Sequence, residues 1–434
     1  MNRAIFPAAA LLALAPAASA QTVIPVSKFT VSGITVIQKP VNANDVVAVR
    51  LYIKGGSAAL TPATSGIERL IGEISTHGTQ KYDKDQFANL ATSTGTDIGS
   101  EADYDFTVIS AQALRQNWNT AWDLFTQAAL HPTFPADEVE QVEAQMLDAL
   151  KQQSDLADPH LTELADSMLY AGHPYAVDPE GTVESVGKIS RDALAQWHAR
   201  RFTKANMLLV VVGNVPRADL EAKVTAAFAA LPATGGEVAA VNPVTGGGRD
   251  LVIVPRDLPT TYVMGVYAAP ALSSPDYPAF RVATRVLAER LFEEVRTKRN
   301  LTYAVSAGLS QRVANRGNLY VTAVQPDTTV KVMLSEVRKI KDELVPANRI
   351  GQAVNVFLTG YLMSQQANMG QGAELGTWEL IGGGWENAPR FGARLRAVTP
   401  EEVQRTARQY LQNLRFVVIG DQSKINRGLF TSLE

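Results

Sequence analysis

The sequence contains no cysteine. Disulfides, thiolate metal sites and cysteine nucleophiles are excluded together. Histidine is scarce as well, at five in 434 residues, so a metal site would need several of those five or would have to be built from carboxylates. Neither sign of charge dominates: 40 Lys and Arg stand against 43 Asp and Glu, and only 19% of the chain is charged. A nucleic-acid binder working through a basic face is therefore not expected. Beyond the amino terminus no apolar run approaches the ~20 residues of a membrane span, and no long stretch has the composition of a disordered segment.

What is present is an ordinary globular composition, 46% hydrophobic, in a chain long enough for two to four domains at about 150 residues each. Residues 1–20 stand apart. They carry one early charge at Arg3, an apolar stretch broken by Pro7 and Pro16, and then Ala18-Ser19-Ala20. Small-x-small after a short apolar run is what a signal peptidase cuts, so Gln21 is expected as the first mature residue and the periplasm as the destination.

The strongest organisational signal is an internal duplication. Ser190-Arg-Asp-Ala-Leu-Ala-Gln-Trp-His-Ala-Arg-Arg-Phe202 is followed by Met207-Leu-Leu-Val-Val-Val-Gly213, and Thr399-Pro-Glu-Glu-Val-Gln-Arg-Thr-Ala-Arg-Gln-Tyr410 by Arg415-Phe-Val-Val-Ile-Gly420. Each reads as a capping hydroxyl, an amphipathic helix ending in Arg-x-aromatic, a short turn and a buried β-run closed by Gly. The two copies lie roughly half a chain apart, the mark of a repeated unit. Further strand-like runs at Val46–Ile53, Thr107–Ala111, Leu251–Val254 and Phe416–Ile419 mix with helical stretches at Ala136–Gln153 and Phe280–Val295. The expected fold is α+β, with residues 21–231 as a first repeat, 232–248 as an exposed Gly/Pro-rich linker, and 249–434 as a second repeat.

Pro62-Ala-Thr-Ser-Gly66-Ile-Glu-Arg69-Leu-Ile-Gly72-Glu73-Ile-Ser-Thr-His-Gly78-Thr79 resembles the signature helix of the pitrilysin/insulinase-type metallopeptidases, the family that includes the mitochondrial processing peptidase. Gly66 and Gly78-Thr79 keep their places around that family's His-x-x-Glu-His. The zinc chemistry is gone: Arg69 replaces the first His, Gly72 the general-base Glu and Glu73 the second His. A hydrolytic zinc site needs two imidazoles one turn apart and a carboxylate for the bound water. The family's third ligand falls at Ala149, in the helix after Pro132-Thr-Phe134; Asp148 next to it is turned away by about 100°. Arg69 and Glu73, at i and i+4, are expected to form an ordinary helix ion pair. The family's substrate-pairing strand corresponds to Ile98–Thr107, where Gly99 and Ser100 stand for its Asn-Ala.

None of the five histidines, His77, His131, His160, His173 and His198, pairs with another at i+2 or i+4. His131 and His160 each touch a proline and are expected in loops, His198 in a repeat helix. Gly382–Gly384 is expected as a loop and not a phosphate cradle, since no Lys-Ser/Thr follows.

The second half keeps more. Leu291-Phe-Glu-Glu-Val-Arg296-Thr-Lys-Arg299-Asn-Leu-Thr-Tyr303-Ala-Val resembles the family's second-half motif, in which an Arg and a Tyr seven residues apart reach across to a zinc-bearing half. A helix is expected to end near Arg296 and a strand to begin at Tyr303. A guanidinium offers a fork of donors to peptide carbonyls, and a phenol can donate to the oxyanion formed when water attacks an amide. The alternative is a solvated helix end with Arg296 paired to Glu293 or Glu294.

The resemblance implies two homologous halves, each a mainly antiparallel sheet packed with helices, forming half of a clamshell around unfolded peptides. It further implies a zinc-free subunit of a heterodimeric peptidase: Arg296 and Tyr303 bind substrate and Tyr303 acts in catalysis. No metal or cofactor is expected in this chain; zinc belongs to a homologous partner bearing His-x-x-Glu-His. The isolated chain is expected to be inactive, and nucleic acid and membrane are not expected partners. A non-catalytic core or assembly protein of the same fold, and an autonomous peptidase with an unrecognised metal site, remain as alternatives.

Overall fold

A computed structural model describes residues 25–244 and 247–431. The expected signal peptide lies outside the described residues. The first sheet contains β1 (Ser27–Val31), β2 (Ile34–Lys39), β3 (Val46–Lys54), β4 (Asp97–Ala102), β5 (Phe106–Leu114) and β6 (Met207–Val212), in the order β1-β2-β6-β3-β5-β4. The second contains β7 (Asp250–Pro255), β8 (Thr261–Ala268), β9 (Val305–Leu309), β10 (Arg316–Ala323) and β11 (Arg415–Gly420), in the order β7-β11-β8-β10-β9. In both, the strand of the repeat lies inside the sheet, parallel to one neighbour and antiparallel to the other: β6 between β2 and β3, β11 between β7 and β8. Every residue of β6 is buried, which is why Met-Leu-Leu-Val-Val-Val reads as a continuous apolar run and not as an alternation. The helices before these strands, Arg191–Arg201 and Pro400–Tyr410, are capped by Ser190 and Thr399 as their sequences require. The fold is α+β, two mainly antiparallel halves of matching topology, in the form of a clamshell half.

The halves exchange cover. The Asn368–Ile381 helix of the second half packs on β3 and β6 of the first sheet, and the Ala157–Leu169 helix of the first half packs on β8 and β11 of the second. Gly376 permits the first contact, because a Cβ there would lie 2.2 Å from the Tyr52 ring. The β9–β10 hairpin adds a polar joint. Arg312 lies over the Tyr104 ring at 3.6 Å and pairs with Asp166 at 3.2 Å, while Val313 N–H donates to Asp105 and Tyr170 O–H to the Ala314 carbonyl. One hydrophobic core consequently runs from Val210 and Tyr52 into Phe280 and Trp378.

Two expectations are corrected. His160 is helical, not in a loop, because Pro159 occupies the first turn of the Ala157–Leu169 helix, where its missing N–H costs no bond. Tyr303 precedes its strand by two residues instead of beginning it. The 232–244 segment is largely exposed, yet it is fastened: Lys204 and Ala205 N–H groups donate to Pro232 and Ala233, Asn206 to Gly235, Arg201 to Gly236, and His173 contacts the Asn242 carbonyl. Gly382–Gly384 forms a loop after the Asn368–Ile381 helix.

Candidate functional site

The helix Tyr277–Leu291 continues without a break into a π-helical turn, Phe292–Thr297. Val295 anchors that turn in the core. The chain leaves it through Asn300, whose φ of 51° is left-handed, with Asn300 N–H donating to the Arg296 carbonyl and Leu301 N–H to the Val295 carbonyl. Leu301 returns to the core, and Thr302 is tied to the Ala304 and Thr322 carbonyls through its hydroxyl. With both neighbours fixed, Tyr303 projects into solvent and is 82% exposed. The Arg296 guanidinium lies over its ring, 4.5 Å from the centroid. The two predicted site residues are therefore brought together.

Arg296 is not paired to Glu293 or Glu294. Lys298 and Arg299 hold Glu294, at 2.6 and 2.5 Å, and Lys298 and Arg349 hold Glu293, at 3.1 and 3.6 Å. Hydrogen bonds from Lys298 and then Arg299 pull the Glu294 carboxyl down to about 2. The acids of this turn are thus occupied, and the Arg296 guanidinium has no ion pair or hydrogen bond among the described residues. Neither Arg296 nor Tyr303 lines the cleft of about 880 Å³ between Glu101, Arg312 and Phe357.

The helix Ile67–Ile74 carries the vanished metal motif. Its expected Arg69–Glu73 pair does not form: Arg69 binds Glu180 at 2.9 Å, and Glu73 faces solvent. Glu180 is in reach because Gly66, left-handed at φ 85°, lets the Gly181 turn approach, and Asp178 fixes that turn by accepting the Glu180 N–H. Burial raises the Glu180 carboxyl above its ordinary range, and Arg69 opposes the shift. Ala149 is exposed, and its neighbour Asp148 pairs weakly with Lys151. A cation, a glycine, a solvent-facing carboxylate and an alanine do not fit zinc. Among the described residues no group of three or more His, Asp or Glu gathers as a metal site. His77 pairs with Glu138, His160 with Glu163, and His198, pushed down to about 4 by burial, meets the Ala129 carbonyl.

Two family models match the sequence: "Insulinase (Peptidase family M16)" over residues 35–181 and "Peptidase M16 inactive domain" over residues 188–357. The chain belongs to the M16 peptidase family. Among its relatives are an uncharacterised zinc protease of Mycobacterium leprae, 25% identical over 390 residues and 87% of both chains, and another of Rickettsia bellii, 21% identical over 86% of this chain and 88% of its own. Its fold is shared with the crystal structure of a peptidase M16 inactive domain from Pseudomonas fluorescens, at TM-score 0.84, 23% identity, and 92% and 98% coverage. A protease from Helicobacter pylori has the same fold, at TM-score 0.83, 16% identity, and 91% and 99% coverage.

In this M16 chain the loss of the motif is built into the packing. A Cβ on Gly72 would lie 2.4 Å from Ser100 Oγ and 2.7 Å from Ser100 Cβ on β4, and no rotamer of Ser100 moves its Cβ. Gly72→Ala gains ~1 kcal/mol of helix propensity but meets an overpacking cost of about 1–3 kcal/mol. It should lower the denaturation midpoint in the wild type and raise it in a Ser100→Gly background; the same sign in both backgrounds would show that the contact does not decide it.

Sequence reasoning missed Glu68, the residue before Arg69. Its buried carboxylate accepts from Thr107, from Trp197 at 3.2 Å, and lies 3.5 Å from Arg201, also buried. The only signal was an acid among the apolar residues of a short helix.

Proposed function

We propose that this M16 chain is the zinc-free subunit of an exported, periplasmic heterodimeric metallopeptidase, lending Arg296 and Tyr303 to a homologous subunit that holds zinc. The observation that carries the reading is a guanidinium with no carboxylate partner among the described residues, lying over an exposed tyrosine. An unpaired Arg beside an exposed phenol supplies donors for peptide carbonyls and for an oxyanion. Glu293 and Glu294 of the same turn are held by Lys298, Arg299 and Arg349, which leaves the Arg296 donors available to a substrate. Family membership supports the peptidase connection, and the unsuitable donors at the former ligand positions support a division of labour.

An Arg that grips substrate in both ground and transition states acts mainly on the Michaelis constant. Arg296→Ala should lower kcat/KM of the mixed enzyme by roughly tenfold to a hundredfold, the range for a charged hydrogen bond, mostly through KM. Arg296→Lys should rescue poorly, since an ammonium lacks the planar fork. Steady-state kinetics with the zinc-bearing M16 chain of the source organism checks this; wild-type kinetics for both variants would leave the pair structural and favour the assembly-protein reading.

A further inference from the structure

Phe292 is 47% exposed, and its ring is not among the side chains packed against the core. It does contact Arg296, whose guanidinium carbon lies 4.9 Å from the Phe292 centroid and 4.5 Å from that of Tyr303. The guanidinium thus contacts two rings. Phe292 and Arg296 stand four residues apart in the same helical turn, which places their side chains as neighbours on one face. The carboxylates that could pull the guanidinium aside are engaged by Lys298, Arg299 and Arg349.

We infer that Phe292 is a positioning residue: with Tyr303 it forms an aromatic clamp that holds the Arg296 guanidinium by its faces and leaves its N–H edges free for a peptide carbonyl. The inference rests on the proposed role of Arg296 and adds a third residue to that site. An arginine side chain has many rotamers to lose on binding, and a clamp that restricts them beforehand lowers that cost without using any donor. Aromatic faces suit this task, because they attract the cation while the donors stay in the guanidinium plane. Leucine at position 292 would keep apolar bulk and lose the π-face, whereas tyrosine would keep both.

The test has two readouts. In the isolated full-length chain with isotope-labelled arginine, the Arg296 Nε–Hε resonance, assigned by its loss in Arg296→Lys, should show a ring-current shift that diminishes in Phe292→Leu and persists in Phe292→Tyr. In the mixed enzyme, assayed with an uncharged fluorogenic peptide, Phe292→Leu should raise KM about two- to fivefold, the range a half-exposed cation–π contact supports. Turnover should be nearly unchanged, and Phe292→Tyr should restore KM. A resonance unaffected by Phe292→Leu overturns the clamp. So does a lost shift with unchanged KM when Arg296→Ala does raise KM, since the Arg then works without being held. Wild-type kinetics for Arg296→Ala would instead overturn the reading beneath it, with the resonance still deciding whether the clamp exists.

Discussion

Tyr303→Phe should lower the turnover number of the mixed enzyme roughly 100-fold, the effect of removing one oxyanion donor, worth about 2–3 kcal/mol of transition-state stabilisation. The substitution isolates the hydroxyl. The ring that faces Arg296 stays, and at 82% exposure the side chain contributes nothing the fold depends on, so stability should change by less than about 0.5 kcal/mol. KM should move little, because the oxyanion exists only after water has attacked. Single-turnover cleavage of a peptide by the reconstituted pair measures the step directly. A wild-type rate would mean that the phenol takes no part in the chemistry.

The largest effect on folding is expected at Arg201. It is 2% exposed, its Nε faces Glu68, and its two terminal nitrogens donate to the carbonyls of Lys54 and Gly236. One side chain thereby joins the motif helix, the end of β3 and the segment leading to the second half. Arg201→Met leaves Glu68 buried with only Thr107 and Trp197 as donors, and breaking such a pair costs about 3–5 kcal/mol. Burial already raises the Glu68 carboxyl above its ordinary value, and losing the cation raises it further. A carboxyl raised in the folded state binds its proton more tightly there than in the unfolded chain, so the fold gains stability as pH falls through that window. The Arg201→Met penalty should accordingly shrink from neutral pH towards pH 5, and Glu68→Gln in the same chain should recover part of it. Urea titrations at the two pH values check both; a pH-independent penalty would place the loss in the carbonyl contacts instead.

How much of this was legible in the sequence follows from how local each cause is. β3, β5, β6 and β11 were readable because buried strands are runs of apolar residues, β7 because its partly exposed edge strand keeps the run Leu-Val-Ile-Val, and Ser190 and Thr399 because a cap acts within one helical turn. β4 could be placed only through the family resemblance: Asp97–Ala102 is an edge strand exposed along most of its length, so it carries no hydrophobic signature. Arg296 and Tyr303 were legible as a spaced pair, but not their stacking, which depends on the π-turn and on the left-handed Asn300. Arg69 was assigned the wrong partner because Glu180 is distant in sequence and reaches it only through the Gly66–Gly181 approach. Glu68 and Arg201, likewise far apart in the chain, meet only in the folded core.

The proposed division of labour gives the Arg/Tyr pair to one chain and the zinc to another. Its most direct test is a titration: a fixed amount of the zinc-bearing M16 subunit, an unstructured peptide as substrate, and increasing amounts of this chain. The expected result is no cleavage by either chain alone, activity that rises in proportion to added subunit and saturates at one to one, and no stoichiometric zinc in this chain by elemental analysis. Chelator-sensitive cleavage by this chain alone, or full activity of the zinc-bearing subunit without it, would contradict the claim.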